Sequence, residues 1–265
     1  MAPEKPFYEG LDMLGRKVVL PASPQRIVSL VPSQTELLCY LGLQSKLTGI
    51  TKFCIRPENL KNQVAIIGGT KSVNIPNLLA LKPDLVIANK EENTAQMVEE
   101  IQQHIPVWVS DVRTLEQSYQ MVSAISEMLG MRSRGEALLQ QLQFNFSKLP
   151  LSTKRHRAAY LIWKDPWMLA GKDTFIDAMM HLAGFENVAD LAMGRYPVLS
   201  AEEIKSLQPE ILLFSSEPYP FSDEKIKCFT EFDGIIRQAV DGRIFSWYGS
   251  SMLDFCDYVK YKFNK

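Results

Sequence analysis

The sequence predicts an α/β protein of two similar lobes with parallel-rich central sheets, joined by one long α-helix. The main observation is a repeat: Ala80–Asn89 (ALKPDLVIAN) and Ser206–Ser215 (SLQPEILLFS) lie 126 residues apart and read alike. Each contains the end of a helix, a Pro–acid corner and an apolar run, and proline cannot continue a helix. Apolar runs without alternation are typical of strands buried on both faces of a parallel sheet. Since ligands bind at the carboxyl ends of such strands, we expect a ligand crevice between the lobes.

The first lobe is assigned to residues 1–113. Its first helix follows Ser33-x-x-Glu36, which has the spacing of a capping box, and Gly42 closes that helix. A second helix is expected around Ile75–Leu81. The other expected elements are an edge hairpin over residues 7–21, strands at Arg26–Val31, Leu47–Thr51, Leu85–Ala88 and Val107–Ser110, and a short apolar segment at Ala65–Ile67.

Residues 114–150 carry the longest helical signal and are assigned to the connecting helix. Apolar residues recur there at spacings of four and three, at Leu115, Tyr119, Val122, Ile125 and Leu129. This spacing places them on one face of a helix. At about 1.5 Å per residue, a continuous helix of this length would be roughly 50 Å long. The alternative is two separate helices that are broken near Gly130.

The second lobe is assigned to residues 151–265. We expect a helix over Thr174–Ala183, closed by Gly184 as the counterpart of Gly42. A second helix over Ala201–Leu207 leads into the repeated strand, and a third helix ends the chain. The expected strands are Ala158–Trp163, Ile211–Phe214 and Arg243–Ser246.

Composition and charge exclude several classes of protein. Charged residues make up 22% and apolar residues 46% of the chain, which is ordinary globular usage. Lys and Arg (29) nearly balance Asp and Glu (30), so no overall field favours nucleic acid or an anionic membrane. No apolar run approaches the about 20 residues that span a bilayer. We therefore expect no nucleic-acid partner and no membrane-spanning segment. A monomer is also expected.

The amino terminus and the cysteines bear on cellular location. The first twenty residues are charged and lack the apolar core of a signal peptide. The protein is expected to be cytoplasmic if Met1 is the native start, and periplasmic or at the cell surface if a leader was removed. The four cysteines show no C-x-x-C spacing, so we expect buried or free thiols: Cys39, Cys54, Cys228 and Cys256.

Residues that follow the expected strands are rich in aromatic rings and polar groups. Flat apolar faces with a few hydrogen-bond donors suit an organic ligand with a large ring surface. The candidate apolar walls are Phe53, Trp163, Trp167, Tyr196, Trp247 and Tyr248. The candidate polar contacts are Thr70, Lys71, Asn89, Lys90 and Arg195. For any one of these aromatic residues the alternative is a place in the core, and for any one cation it is a solvated surface.

Signals for catalysis and metal binding are weak. The segment Gly68–Lys71 lacks the spacing of a phosphate-binding loop, and Gly249-Ser-Ser is not a nucleophile elbow. None of the three histidines follows a buried strand or has a partner at ligand spacing. We therefore expect no catalytic residues, no bound metal ion and no intrinsic cofactor.

A resemblance to a known family is carried by the expected connecting helix and four segments: Arg26–Glu36 (RIVSLVPSQTE), Leu81–Ile87, Asp173–Ile176 and Tyr196–Ser200. They resemble the substrate-binding proteins of ABC importers whose lobes are joined by one long helix, the class III periplasmic binding proteins. That family includes cobalamin-binding proteins and iron–siderophore receptors. The similarity covers about residues 15–262, and it is closest to the cobalamin-binding branch.

The resemblance implies a non-catalytic protein that binds a metal chelate between its lobes as the substrate-binding component of an ABC importer. The implied ligand is a cobalamin or another corrinoid, or an iron chelate of the siderophore or haem type. The alternative is a cytoplasmic carrier or sensor of such chelates on the same scaffold, without a transporter. The ligand-contacting aromatic positions of the family match Phe53, Trp163 or Trp167, and Tyr196, and Trp247 and Tyr248 lie in another ligand-contacting loop.

Family members also dock on their permease through one acidic residue in each lobe. The position in the second lobe matches Glu202 or Glu203, whereas the position in the first lobe falls near Pro76–Asn77. The chain departs from the cobalamin-binding pattern in two places. Gly69, Thr70 and Asn89 stand where aromatic residues are expected, and Gly249-Ser-Ser251 replaces an expected arginine. These departures imply a more polar pocket in the first lobe.

Overall fold

Fourteen strands and ten α-helices are present in residues 5–149 and 155–263, the part of the chain that the computed structural model describes. They are distributed over two units. Unit 1 contains the residues up to Asp111, Glu116–Gln143 and Tyr248–Ser251, and unit 2 contains the remainder. No helix within the described ranges has both the length and the apolar character needed to cross a membrane.

Unit 1 is built on a five-stranded parallel sheet with the strand order β5-β4-β3-β8-β9. Its strands are β1 (Tyr8–Leu11), β2 (Lys17–Leu20), β3 (Ile27–Ser29), β4 (Leu47–Ile50), β5 (Ala65–Ile66), β6 (Gly68–Gly69), β7 (Ser72–Val73), β8 (Leu85–Asn89) and β9 (Val107–Ser110). Its helices are α1 (Pro32–Tyr40), α2 (Ile75–Ala80), α3 (Ala95–Gln102), α4 (Leu115–Met128) and most of α5 (Arg132–Ser147). The expected edge hairpin is the antiparallel pair β1–β2.

The core of unit 1 forms where apolar strand residues meet α2 and α3. Strand β8 is buried over its whole length between β3 and β9. Side chains of Leu78 from α2 and Ile101 from α3 pack against residues such as Val86. Burial on both faces explains why the apolar runs in these strands do not alternate with polar residues.

The expected capping box of α1 is absent. The helix begins two residues earlier than that pattern requires, with Val31 as an extended N-cap that makes no side-chain capping bond. Pro32 occupies the first turn, where its fixed φ suits a helix and its missing N–H costs nothing. Ser33 is therefore a residue of the helix rather than its cap.

The single helix expected over residues 114–150 is two helices, α4 and α5, as in the alternative. Gly130 lies between them with a φ of +70°, a conformation that glycine adopts at little cost. The two helices pack closely where Gly135 faces Ser126, since a Cβ at residue 135 would collide with that serine side chain. Ser126 Oγ donates to Val122 O at 2.6 Å within α4. A helical pattern that continues across a glycine thus describes two packed helices here.

Unit 2 is built on a five-stranded sheet in which β10 and β13 are central. Its strands are β10 (His156–Trp163), β11 (Met168–Leu169), β12 (Phe185–Asn187), β13 (Ile211–Ser215) and β14 (Ile236–Val240). Its helices are α6 (Phe175–Leu182), α7 (Ala201–Ser206), α8 (Asp223–Lys227), α9 (Gly242–Ser246) and α10 (Phe255–Phe263). Only β11 runs antiparallel to its neighbour, so this sheet is also mainly parallel.

The expected last strand at Arg243–Ser246 is wrong, because this segment forms α9. Asp241 caps that helix by accepting a hydrogen bond from Arg243 N at 3.0 Å. The last strand is instead β14, which pairs with β13 in parallel. It is an edge strand with an exposed first residue, Ile236, and its polar Arg237 and Gln238 interrupt any apolar run. The sequence pattern of a buried strand therefore misses it.

The repeat is confirmed by matching contacts at the two Pro–acid corners. In unit 1, Arg26 Nη2 donates to Leu81 O at 2.6 Å. In unit 2, Arg157 Nη2 donates to Leu207 O at 2.7 Å. Each arginine comes from the start of the strand beside the repeated one, and it satisfies a carbonyl that the end of the helix leaves without an intrahelical partner.

Candidate functional site

In unit 1, Lys52 and Phe53 project from the carboxyl end of β4. Phe53 is 49% exposed, and its ring lies against the backbone of Gly69, where a Cβ would be 3.3 Å from Phe53 Cε2. Lys52 Nζ lies 5.1 Å from the centroid of the Phe53 ring. An exposed ring beside an ammonium group offers both a flat apolar surface and a positive charge to a ligand.

The loop that carries these two side chains is anchored on both sides. Thr51 and Cys54 are fully buried, and Lys52 N donates to Gly68 O at 2.8 Å. The Cys54 thiol lies 3.1 Å from Thr35 Oγ1 and 3.3 Å from Thr51 Oγ1. Burial raises the pKa of this thiol, so it serves as a packed core group. All four cysteines of the chain are free.

Asn89 is buried rather than exposed to a ligand, which corrects its expected place as a polar contact. Its Oδ1 accepts from Glu91 N at 2.8 Å and from Glu92 N at 3.1 Å. Its Nδ2 donates to Ser110 Oγ at 2.9 Å and to Ser110 O at 3.2 Å. The amide therefore holds the ends of β8 and β9 together and shapes the loop that follows β8.

The other polar candidates in unit 1 differ in their partners. Lys90 is partly exposed but forms an ion pair of 2.9 Å with Asp111. The carbonyl of Thr70 accepts from Asn93 Nδ2 at 2.8 Å, which ties the β6–β7 hairpin to the loop after β8. Lys71, at the tip of that hairpin, is exposed. Of the predicted polar residues in unit 1, Lys71 thus presents its charge to solvent without a neutralising acid among the described residues.

In unit 2, Trp163 and Tyr196 are the exposed aromatic candidates. Trp163 ends β10, is 40% exposed and meets the Tyr219 ring edge-on at 5.6 Å. Tyr196 is partly exposed, and its ring centroid lies 6.0 Å from Arg195 Cζ. The loop that carries Tyr196 is held beside β11 by the bond from Gly171 N to Arg195 O at 2.8 Å.

Arg195 is fixed mainly by its own unit. Its Nε donates to Asp173 O at 2.7 Å and lies 3.6 Å from Asp173 Oδ2. The same carboxylate accepts from Arg113 Nη1 at 2.9 Å. One carboxylate therefore serves two guanidinium groups, and the charge of Arg195 is partly neutralised.

Trp167 lies in the core of unit 2, which corrects its expected place on the wall of a binding site. It is only 8% exposed and belongs to the buried cluster of that unit. Four phenylalanine rings surround it at centroid distances of 5.1–6.2 Å: Phe214, Phe221, Phe229 and Phe232. The sequence marks Trp163 and Trp167 alike, and only these ring contacts distinguish them.

Trp247 and Tyr248 are also buried, which again differs from their expected exposure. Trp247 belongs to unit 2, where its Nε1 donates to Glu217 Oε1 at 2.7 Å. Burial raises the pKa of the Glu217 carboxyl group. Tyr248 belongs to unit 1, where its hydroxyl bonds with Ser110 and Ser33, and burial raises the pKa of that hydroxyl.

The two docking candidates on α7 have different environments. Glu203 completes a capping box, since its carboxylate accepts from Ser200 N at 2.7 Å and Ser200 Oγ accepts from Glu203 N at 3.2 Å. That bonding lowers the pKa of Glu203. The Glu202 side chain is 79% exposed, and its nearest cation, Lys205 Nζ, is 3.9 Å away. Both carboxylates are exposed, and Glu202 is the one that takes no part in the capping box.

Titratable side chains form few clusters. Among the residues that the structure describes, no group of three or more His, Cys, Asp or Glu side chains could hold a metal ion. His156 Nδ1 lies 2.7 Å from Glu210 Oε2, and His181 Nε2 lies 2.7 Å from Arg155 Nη2. Both pairs are exposed, and His156 lies at the amino end of β10, away from the loops described above.

Two residues beside the exposed aromatic rings were not among the candidates from sequence. Lys52 comes two residues after β4 and directly follows the expected strand Leu47–Thr51, so its position after a buried strand was the available signal. Tyr219 comes four residues after β13, in a loop that contains two prolines. Its contact with Trp163 depends on the tertiary fold and had no signal of its own.

Known proteins resemble this chain in sequence and fold. A vitamin B12-binding protein of Vibrio parahaemolyticus is 25% identical over 213 residues, which cover 79% of this chain and 75% of that protein. An uncharacterized ABC transporter substrate-binding lipoprotein of Bacillus subtilis is 24% identical over 235 residues, covering 84% and 74% respectively. The solved structure of a periplasmic haem-binding protein from Roseiflexus sp. RS-1 matches with a TM-score of 0.76 and 22% identity, over 89% of this chain and 97% of that one.

The solved structure shows a shared fold, that of the class III periplasmic binding proteins. The family model described as "Periplasmic binding protein" matches residues 27–235. This range includes the strands of both parallel sheets except β14, together with both Pro–acid corners. The chain therefore belongs to the periplasmic binding protein family.

Proposed function

We propose that this protein binds a metal chelate of the corrinoid, haem or ferric-siderophore type and delivers it unchanged to an ABC permease. The observation that carries the proposal is the exposed aromatic rings on loops of each unit: Phe53 in unit 1, and Trp163 and Tyr196 in unit 2. Exposed aromatic rings on anchored loops give each unit a preformed apolar surface, which lowers the entropic cost of binding. The relatives named for vitamin B12 and haem support this class of ligand.

Non-catalytic binding agrees with the chemistry of these loops. They present aromatic rings, lysines and backbone groups, and the arginine nearest to Tyr196 is held by Asp173. The buried acid of unit 2, Glu217, is held by the Trp247 indole. General acid–base catalysis needs a titratable group that is poised for the substrate, whereas the two acids named above are already bonded to Arg195 and Trp247.

The test is calorimetric titration of the purified protein with cobalamin, cobinamide, haem and ferric siderophores. We expect one chelate class to bind with a micromolar or lower Kd, and Trp163→Ala to weaken that binding by about tenfold. Phe144→Ala is the matched control, because Phe144 is an exposed ring on α5 outside these loops. Failure of every chelate to bind, or an equal loss in both variants, would contradict the proposal.

Tryptophan fluorescence adds a second readout to the same titration. Trp163 is the exposed tryptophan, whereas Trp108, Trp167 and Trp247 are buried. Trp163→Phe keeps an aromatic face but removes the exposed reporter. We expect this variant to retain its calorimetric affinity while it loses part of the quenching amplitude.

Delivery to a permease would use Glu202 of unit 2. We expect Glu202→Gln to leave chelate affinity unchanged and to reduce permease-coupled uptake in a reconstituted vesicle assay. Glu203→Gln is the matched control, because glutamine can also complete the capping box of α7, and we expect it to leave uptake unchanged. Uptake that falls with Glu203→Gln but not with Glu202→Gln would refute this assignment.

A further inference from the structure

We infer that Lys52 makes this protein selective for chelates that carry an anionic group, a carboxylate or phosphate, beside a flat apolar face. The inference rests on the proposed function and adds the charge class of the ligand. The structural basis is the pair formed by Lys52 and Phe53, whose ammonium group and exposed ring lie 5.1 Å apart. A ligand that packs on the ring would bring its edge within reach of the ammonium group.

The charge of Lys52 is available, in contrast to most cations near the candidate rings. Lys90 pairs with Asp111, Lys164 pairs with Asp165, and Arg195 shares the carboxylate of Asp173. No ion pair of Lys52 occurs among the described residues. An ammonium group that is not already neutralised can form a charge-assisted hydrogen bond with an incoming anion.

The position of Lys52 is also defined. The buried residues Thr51 and Cys54 hold the loop on both sides, and Lys52 N is bonded to Gly68 O. The lysine stem packs beside the Phe53 ring over Gly69, where a Cβ would be 3.6 Å from Lys52 Cε. A Cβ at residue 69 would also lie 3.0 Å from Ser72 Oγ and 3.3 Å from Phe53 Cε2, so even an alanine there would crowd the ring. The backbone thus places the cation beside the ring before a ligand arrives.

The charged residues around Lys52 and Phe53 give only a weak additional attraction for an anion. Arg56 and Glu58 follow in the same loop, both exposed, and their charges largely offset each other. Lys71 adds a positive charge from the adjacent β6–β7 hairpin. Since Lys52 is exposed, its attraction for an anion is partly screened, and we expect an effect that depends on salt.

Two ligand pairs test the inference. Haem carries two propionates and its dimethyl ester carries none. Cobalamin contains a phosphodiester, and cobinamide lacks that group together with the rest of the nucleotide. For the chelate class that binds, we expect the wild-type protein to prefer the member with the anionic group, and we expect Lys52→Gln to reduce that preference by about fivefold to tenfold at low salt. The variant should bind the member without the anionic group as the wild type does. A preference that changes in the haem pair identifies the anion as a carboxylate, and one that changes in the cobalamin pair identifies it as a phosphate.

The controls separate this inference from the proposed function. Lys61→Gln removes an exposed lysine of the same unit outside the loop and should leave the preference intact. Suppose that chelates bind, but that Lys52→Gln weakens the binding of both members of a pair equally or of neither member. The inference is then refuted and the proposed function stands. If no chelate binds the wild-type protein, the proposed function fails and the inference fails with it.

Discussion

Replacing Trp167 with alanine is expected to lower the free energy of unfolding by about 3–5 kcal/mol, the usual cost of deleting a large core aromatic side chain. The indole is 8% exposed and contacts four phenylalanine rings in the core of unit 2. Its removal would leave a cavity lined by those rings, since a core relaxes only partly around lost volume. Urea unfolding followed by far-UV circular dichroism measures the effect.

Trp163→Ala is the control for this experiment, because Trp163 is the same residue type four positions earlier and is 40% exposed. We expect it to cost less than about 1 kcal/mol of unfolding free energy. The same two variants should show the opposite order in chelate affinity, provided that Trp167→Ala is measured where it remains folded. Equal losses of stability in both variants would mean that Trp167 is not a core residue.

Asn89→Ala is expected to lower the free energy of unfolding by about 2–3 kcal/mol, because it leaves buried hydrogen-bonding groups without partners. The lost bonds are those from Asn89 to the backbone N–H groups of Glu91 and Glu92 and to Ser110. Thermal and urea unfolding of the variant measure this loss.

The matched control is Asn74→Ala. Asn74 caps α2 with a bond from Asn77 N of 3.0 Å and is exposed, so we expect a cost of about 0.5–1 kcal/mol. If Asn89→Ala changed ligand affinity but not stability, Asn89 would have the ligand-contacting role that its position after a strand suggests. A loss of stability no larger than that of Asn74→Ala would also count against the buried role.

The sequence by itself determined the α/β class, the two related units and most of the buried strands. These features have local causes: a proline that ends a helix, an apolar run that needs burial on both faces, and a glycine that closes a helix. The repeated corners at Leu81–Asp84 and Leu207–Glu210 can therefore be predicted from the amino-acid sequence alone. The break at Gly130 remained open at that stage, because a helical periodicity can continue across a turn between two packed helices.

Only the tertiary structure decided which of the candidate residues are exposed. Trp163 and Trp167 share one turn, yet the rings that enclose Trp167 come from residues 214–232. Lys90 and Lys52 both follow parallel strands, yet Asp111 neutralises only Lys90. The edge strand β14 escaped detection because half-exposed strands lose the apolar pattern. Exposure and charge pairing depend on side chains that are distant in sequence, and a local sequence pattern does not determine which distant side chain packs beside a given residue.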